Sequence, residues 1–177
     1  GLVSINGRAM VSYVIDALRP QVATLLLNAN RSRDRYREFG LPVIADADGD
    51  FRGPLAGFAS GMRVAETPYI AVAPCDSPLL CGDMVQRLYD ALQKEGTRIA
   101  VAHDGSRLQP VFVLLDCTLL DDLAGHLADG GRKIDHWYGI HGYAVADCSD
   151  VPESFLNINA PDDKQLLENM LTQRGPA

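Results

Sequence analysis

Three short apolar runs in this chain each end on an Asn or Asp side chain. VATLLLNAN (residues 22–30) closes on Asn28 and Asn30, LPVIAD (41–46) on Asp46, and YIAVAPCDSPLL (69–80) carries Asp76 just beyond its apolar stretch. Runs of this length that are apolar throughout, rather than alternating, predict strands buried on both faces. That pattern constrains the fold more than any other, because such strands need a layer of helices on each side.

Segments with helical signals lie between the runs. From Arg8 to Leu18 the apolar positions 11, 14, 15 and 18 follow helical spacing, and Pro20 closes the segment. SRDRYREFG predicts a polar helix ended by Gly40. The glycine-rich DGDFRGPLAG opens a helix with Leu55, Phe58, Met62 and Ala65 on one face. A further helix over about Gly82–Gln93 turns Val85, Leu88, Tyr89 and Leu92 inward. RIAVAHD, QPVFVLL and GYAVADC predict three more strands, and TLLDDLAGHLADG and PDDKQLLENML two more helices. The last has acids in its first turn, where the helix dipole favours them. Strands alternating with helices define an α/β domain with a mostly parallel sheet and helices on both faces. No repeat, linker or low-complexity tract interrupts it, so residues 1–177 are expected to form one domain.

Composition removes several classes of function. A net charge of −7 and a pI near 4.9 speak against a nucleic-acid binder, which needs a basic stripe. No apolar run approaches a membrane span. The cysteines Cys75, Cys81, Cys117 and Cys148 are scattered without CxxC spacing. They predict reduced, mostly buried thiols in a cytoplasmic protein.

In a parallel sheet, ligands bind outside the carboxyl ends of the strands. Asn28 and Asn30, Asp46 and Asp76 stand at three successive ends, and Asn157 and Asn159 in FLNINAPDD form a fourth polar cluster before the last helix. Asp76 is the sharpest of these. Pro74 and Pro78 stiffen the backbone around it, which suits a hard oxygen ligand for Mg²⁺. A helix cap would also explain it, but the next helix is expected to start several residues later. GPLAG (Gly53, Pro54, Gly57) reads either as a plain turn and helix start or as a close backbone approach to an anion. GGRK, with Arg132 and Lys133 after two glycines, is balanced between a solvated helix start and phosphate binding. His103, His126, His136 and His141 show no metal spacing, and Trp137 with Tyr138 predicts packing.

In order, GLVSINGRAM, LLLNANR, VIAD, GPLAG, PCDSPLL, HDG…QPVFVLL and NINAPDD resemble the molybdenum cofactor guanylyltransferases over essentially the whole chain. The resemblance implies a Rossmann-like nucleotidyltransferase fold that uses GTP and Mg²⁺. It implies attack by the terminal phosphate of molybdopterin on the α-phosphate of GTP, with pyrophosphate leaving. On this resemblance Asn28 and Asp46 contact the nucleotide, and Asp76 is the catalytic residue that holds Mg²⁺ against the GTP phosphates. Gly53, Pro54 and Gly57 lie in the family's loop beside the active site. Asn157 and Asn159 face the pterin and metal, with Ala160 where the family has threonine. Arg132 is carried as a further substrate-binding candidate. GTP and molybdopterin are thus the expected partners, with molybdopterin-handling proteins and molybdoenzymes as further candidates. The family starts with a strand and a glycine-rich loop, LAGGxxxRMGGxDK, and GLVSING matches the stretch just after its lysine, so an N-terminally incomplete domain is expected. A molybdopterin cytidylyltransferase, a sugar-phosphate nucleotidyltransferase and a non-catalytic cofactor-binding module are the alternatives.

Overall fold

In the computed structural model, which describes residues 1–46, 53–157 and 161–174, the chain opens on a hairpin. Strand β1 (Ser4–Ile5) pairs antiparallel with β2 (Arg8–Ala9). Asn6 (φ 48°) and Gly7 (φ 77°) make the turn, because an Asn-Gly pair adopts left-handed backbone with little strain. The sequence predicts only a loop here, so the hairpin is a correction. It also delays helix α1 (Met10–Leu18) by two residues, since Arg8 and Ala9 are taken into the ladder.

Val11, Val14, Ile15 and Leu18 of α1 are buried, as their spacing predicts. Just past its end, Gln21 donates through Nε2 to the carbonyls of Ala17 (2.7 Å) and Cys81 (3.1 Å). Its Oε1 accepts from the backbone N–H of Val85 at 2.9 Å. One side chain thus ties the end of α1 to the segment and first turn of a later helix.

Strand β3 (Leu27–Asn28), helix α2 (Arg33–Arg37) and strand β4 (Val43–Ile44) follow. β3 and β4 are parallel, with Leu27 opposite Val43 and Asn28 opposite Ile44. The run 22–30 therefore forms far less ladder than its length predicts. Helix α3 (Pro54–Val64) starts at Pro54, so GPLAG is its first turn rather than a loop before it. Proline fits there because its missing N–H would have no partner anyway.

Strand β5 (Tyr69–Val72), helix α4 (Met84–Glu95), strands β6 (Ile99–His103) and β7 (Leu108–Asp116), helices α5 (Leu120–Ala128) and α6 (Ile134–His141), strand β8 (Ala144–Asp147) and helix α7 (Pro161–Arg174) complete the order. The four-stranded sheet runs β5-β7-β6-β8. β5, β6 and β8 point one way, and β7 runs against both its neighbours. The reversal has a local cause. Only Asp104–Arg107 separate β6 from β7, and a parallel neighbour needs a crossover of about a dozen residues. Asp104 builds the turn by accepting from the backbone of Ser106 (2.7 Å) and Arg107 (2.8 Å) and from Gln109 Nε2 (2.6 Å).

Helices cover both sheet faces, as the apolar strands require. Along β6, Ala100 and Ala102 meet α1 and α4 through Val14, Met84 and Leu88, whereas Ile99 and Val101 meet α3, α5 and α6 through Phe58, Leu123 and Trp137. This is the period-two division of a strand between two cores. Each fully buried Leu or Ile side chain contributes roughly 1.5–3 kcal/mol. Leu167 of α7 packs with Ile5, Met10 and Leu79, which fastens the last helix to the first hairpin. Trp137 and Tyr138 are core residues, as expected. Tyr89 is not: it is 40% exposed and meets Tyr69 edge-on at 5.8 Å. All four cysteines are free, two buried and two half-buried. Burial pushes the Cys148 thiol up to about 11, which keeps it protonated. No helix among the described residues is long and apolar enough to cross a membrane.

Candidate active site

The Asn-Ala-Asn spacing at the end of β3 puts two carboxamides on one side of an extended chain, because alternate residues share a face. Ala29 between them is buried. Both amides converge on Asp46, two residues past β4. Asn28 Nδ2 donates to Asp46 Oδ1 at 2.9 Å and Asn30 Nδ2 to Asp46 Oδ2 at 2.8 Å. Asn30 Oδ1 in turn accepts the backbone N–H of Asp46 at 2.9 Å. Parallel pairing of β3 with β4 sets the two strand ends level and makes this possible.

Asp76 is built differently. Cys75 and Asp76 form a turn after β5, and Ser77 through Leu80 are buried behind it. Helix α4 starts at Met84, with Asp83 at its N-cap position, so Asp76 is no helix cap. Among the described residues, no hydrogen bond or ion pair engages its half-buried carboxylate. Tyr36 of α2 lies alongside, its hydroxyl 3.8 Å from Cys75 Sγ. Burial first, then Cys75 and the negative charge of Asp76, push the Tyr36 phenol up to about 12. Tyr36 thus stays a neutral hydroxyl beside the acid.

Asn28, Tyr36, Pro54, Gly57 and Asp76 border one cavity of about 960 Å³ between β3 and β5. Gly57 is there for steric reasons. A Cβ on it would stand 2.8 Å from Asn28 Nδ2, so with any larger residue the Asn28 amide would have to shift from its place beside Asp46. Gly53, at φ 78°, occupies backbone that favours glycine and precedes Pro54 at the helix start.

The remaining candidates stand elsewhere. Arg132 donates to the carbonyls of Leu127 and Gly131 at the end of α5 and is not among the residues lining the cavity. Asn157 is exposed, also outside that lining, and Asn159 lies outside the described residues. Two residues, Tyr36 and Gln21, escaped the sequence reading, and a third was placed without its partner. Asn30 stood at a strand end but its bond to Asp46 needed the ladder register. Tyr36 is the one aromatic side chain inside the polar helix α2, which is its only signal. Gln21 leaves none.

The donor set can be tested against Mg²⁺. Among the described residues no three His, Cys, Asp or Glu side chains converge as a complete metal cage. A carboxylate to which no described residue bonds, on a turn between two prolines, fits an ion that takes one or two carboxylates and fills its shell with water and phosphate oxygens. Asp46, with both oxygens already bonded to amides, suits that role less.

Helices on both sheet faces and polar side chains at the strand ends make a ligand-binding α/β domain, and the comparisons with known proteins make it a nucleotidyltransferase. Residues 1–141 match the family model described as a MobA-like NTP transferase domain. The chain is 46% identical over 173 residues to the molybdenum cofactor guanylyltransferase of Shewanella sediminis, covering 98% of this chain and 88% of that protein. The chain belongs to this family of MobA-like NTP transferases. Among solved structures it is similar to the molybdopterin-guanine dinucleotide biosynthesis protein A of Archaeoglobus fulgidus, with TM-score 0.78, 19% identity, and 97% of this chain and 90% of that one covered. It also shares its fold with the 4-diphosphocytidyl-2C-methyl-D-erythritol synthase of Anaerococcus prevotii, at TM-score 0.74 and 11% identity, with 97% and 93% covered.

Proposed function

We propose that this chain transfers GMP from GTP to the terminal phosphate of molybdopterin, forming molybdopterin guanine dinucleotide and releasing pyrophosphate, with Mg²⁺ held on Asp76. The observation that carries the reading is the contrast between a locked acid and an unbonded one at neighbouring strand ends, in a chain 46% identical to a guanylyltransferase. Asp46, locked by Asn28 and Asn30, offers fixed acceptors for a nucleoside, and Asp76 offers a free carboxylate for a cation. Mg²⁺ there supplies charge neutralisation on the triphosphate. Asp76 sits on a turn stiffened by two prolines, so it holds its place as charge shifts to the leaving pyrophosphate. Asn28 and Asp46 hold the nucleoside end so that the α-phosphate faces the incoming phosphate in line. A phosphate monoester is ionised near neutral pH, so no general base is required of the chain. The same reading places the protein in the cytoplasm, where its thiols stay reduced.

The rival is cytidylyl transfer, since a solved cytidylyltransferase shares the fold. Calorimetric titration with GTP, CTP and ATP in the presence of Mg²⁺, followed by assay of the dinucleotide product, separates the two. Clear preference for GTP and formation of the guanine dinucleotide are expected; equal affinity for CTP overturns the guanylyl reading.

A further inference from the structure

We infer that Asn30 is a positioning residue that fixes the Asp46 carboxylate to read the hydrogen-bonding edge of guanine, an inference that rests on the proposed use of GTP. Asn30 grips Asp46 at two points: its Nδ2 donates to Oδ2 at 2.8 Å, and its Oδ1 accepts the backbone N–H at 2.9 Å. Side chain and main chain of the same residue are thus clamped by one carboxamide. With Asn28 Nδ2 on Oδ1 at 2.9 Å, the carboxylate is held from both sides.

Each carboxylate oxygen has two acceptor positions, and the amides take one on each. One position per oxygen therefore remains in the plane of the carboxylate. Guanine presents N1–H and the 2-amino group as two adjacent donors, which match such a pair. Cytosine and adenine place an acceptor next to their amino group and do not. A site built to bond a donor strongly rejects an analogue that lacks it, because its own polar atoms are left unpaired. A carboxylate free to rotate loses that discrimination. Among the described residues no cation pairs with Asp46, and the two amides orient it.

The test compares kcat/KM and Kd for GTP, for ITP, which lacks the 2-amino group, and for 2′-deoxy-GTP. The parent and two variants are measured. Asn30→Ala removes both contacts. Asn30→Asp is isosteric, keeps an acceptor for the Asp46 N–H, and replaces the donor with an oxygen that repels Oδ2. It carries the comparison if Asn30→Ala melts too low to assay. The parent is expected to prefer GTP to ITP by about tenfold or more, the worth of one hydrogen bond. Both variants should lose most of that ratio, with KM for GTP rising more than kcat falls. Equal losses with GTP and ITP, or no preference in the parent, overturn the inference. So does a selective loss against 2′-deoxy-GTP, which would put Asp46 on the ribose. A parent that prefers GTP to ITP yet makes no guanine dinucleotide removes the proposed reaction and leaves the role of Asn30 standing.

Discussion

Gly57 presses against Asn28 so closely that a Cβ on it would lie 2.8 Å from the Asn28 amide nitrogen and 3.9 Å from Asp46 Oδ1. The contact couples helix α3 to the end of β3 and makes a helix-interior glycine part of the site.

Gly57→Ala separates function from stability at this position. Alanine is the better helix former by roughly 1 kcal/mol, and the atom in its way is the end of a side chain, which can move. The helix should therefore hold or gain stability while Asn28 is pushed off Asp46. The expected result is an unchanged or higher Tm together with about a tenfold weaker affinity for GTP, the cost of one displaced hydrogen bond. A thermal melt and a nucleotide titration on the same preparation check it; undiminished affinity would show that Asn28 has no part in binding.

Gln21 makes three bonds between α1 and the start of α4, though it lies outside any predicted element core. Gln21→Ala leaves the Val85 N–H without its partner and should cost about 1–3 kcal/mol. In urea, the midpoint should fall with no change in slope. A midpoint within error of the parent would mean that water replaces the side chain.

A pH-dependent contribution comes from Asp122. Its Oδ1 accepts the indole N–H of buried Trp137 at 2.9 Å and faces His141 Nε2 at 2.7 Å. The Trp137 bond, then the His141 contact, hold the Asp122 carboxyl below its ordinary value, against the opposing effect of burial. For a lowered carboxylate, the stabilisation is full above the ordinary value near 4 and is lost as pH falls through the lowered one. Asp122→Ala strands the indole N–H and should lower stability by about 1–3 kcal/mol at neutral pH. The gap in Tm between parent and variant should persist from pH 8 to 5 and shrink below about pH 4. A gap that does not change with pH would assign the loss to packing alone.

How far this was legible beforehand follows from the kind of signal each feature leaves. Apolar runs announce strands, but the two-sided burial expected of β3, β4 and β5 is met by β6, while those three are at most half-buried. The buried face of α1 follows its spacing residue by residue; in α3 Leu55, Phe58 and Met62 do, and Ala65 falls past the helix end. The reversal of β7 lay in a four-residue gap, which is short enough to forbid a crossover, yet the alternation of elements outweighs it in a sequence reading. Asn28, Asp46 and Asp76 stand out because polar groups at apolar strand ends need a reason. Which of them bond to each other depends on the register of Asn28 opposite Ile44, and periodicity does not encode register between separate strands. Arg132 shows the converse. Two glycines before a cation suggest a phosphate site, but the same glycines let the arginine curl back onto the carbonyls of Leu127 and Gly131.

The last prediction concerns the acid at the mouth of β5. Asp76 carries a charge that no described residue neutralises, on a turn packed against the buried stretch Ser77 to Leu80. An unpaired, half-buried carboxylate is unfavourable by itself, and the proposed cation would offset that cost. Asp76→Asn keeps the size and the turn but removes the charge that attracts a hard ion. The variant should melt at or slightly above the parent temperature and lose guanylyl transfer by about a hundredfold or more. Part of the loss should be recovered at high Mg²⁺ if phosphate oxygens and water still hold the ion weakly. Asp46→Asn offers the contrast. There an amide would meet the Asn28 or Asn30 amide head on, so stability and nucleotide affinity should fall together, with no recovery by added metal. Product formation against Mg²⁺ concentration for the parent and both variants, with melts alongside, distinguishes the two acids. An Asp76→Asn protein that turns over at the parent rate would remove the metal from Asp76.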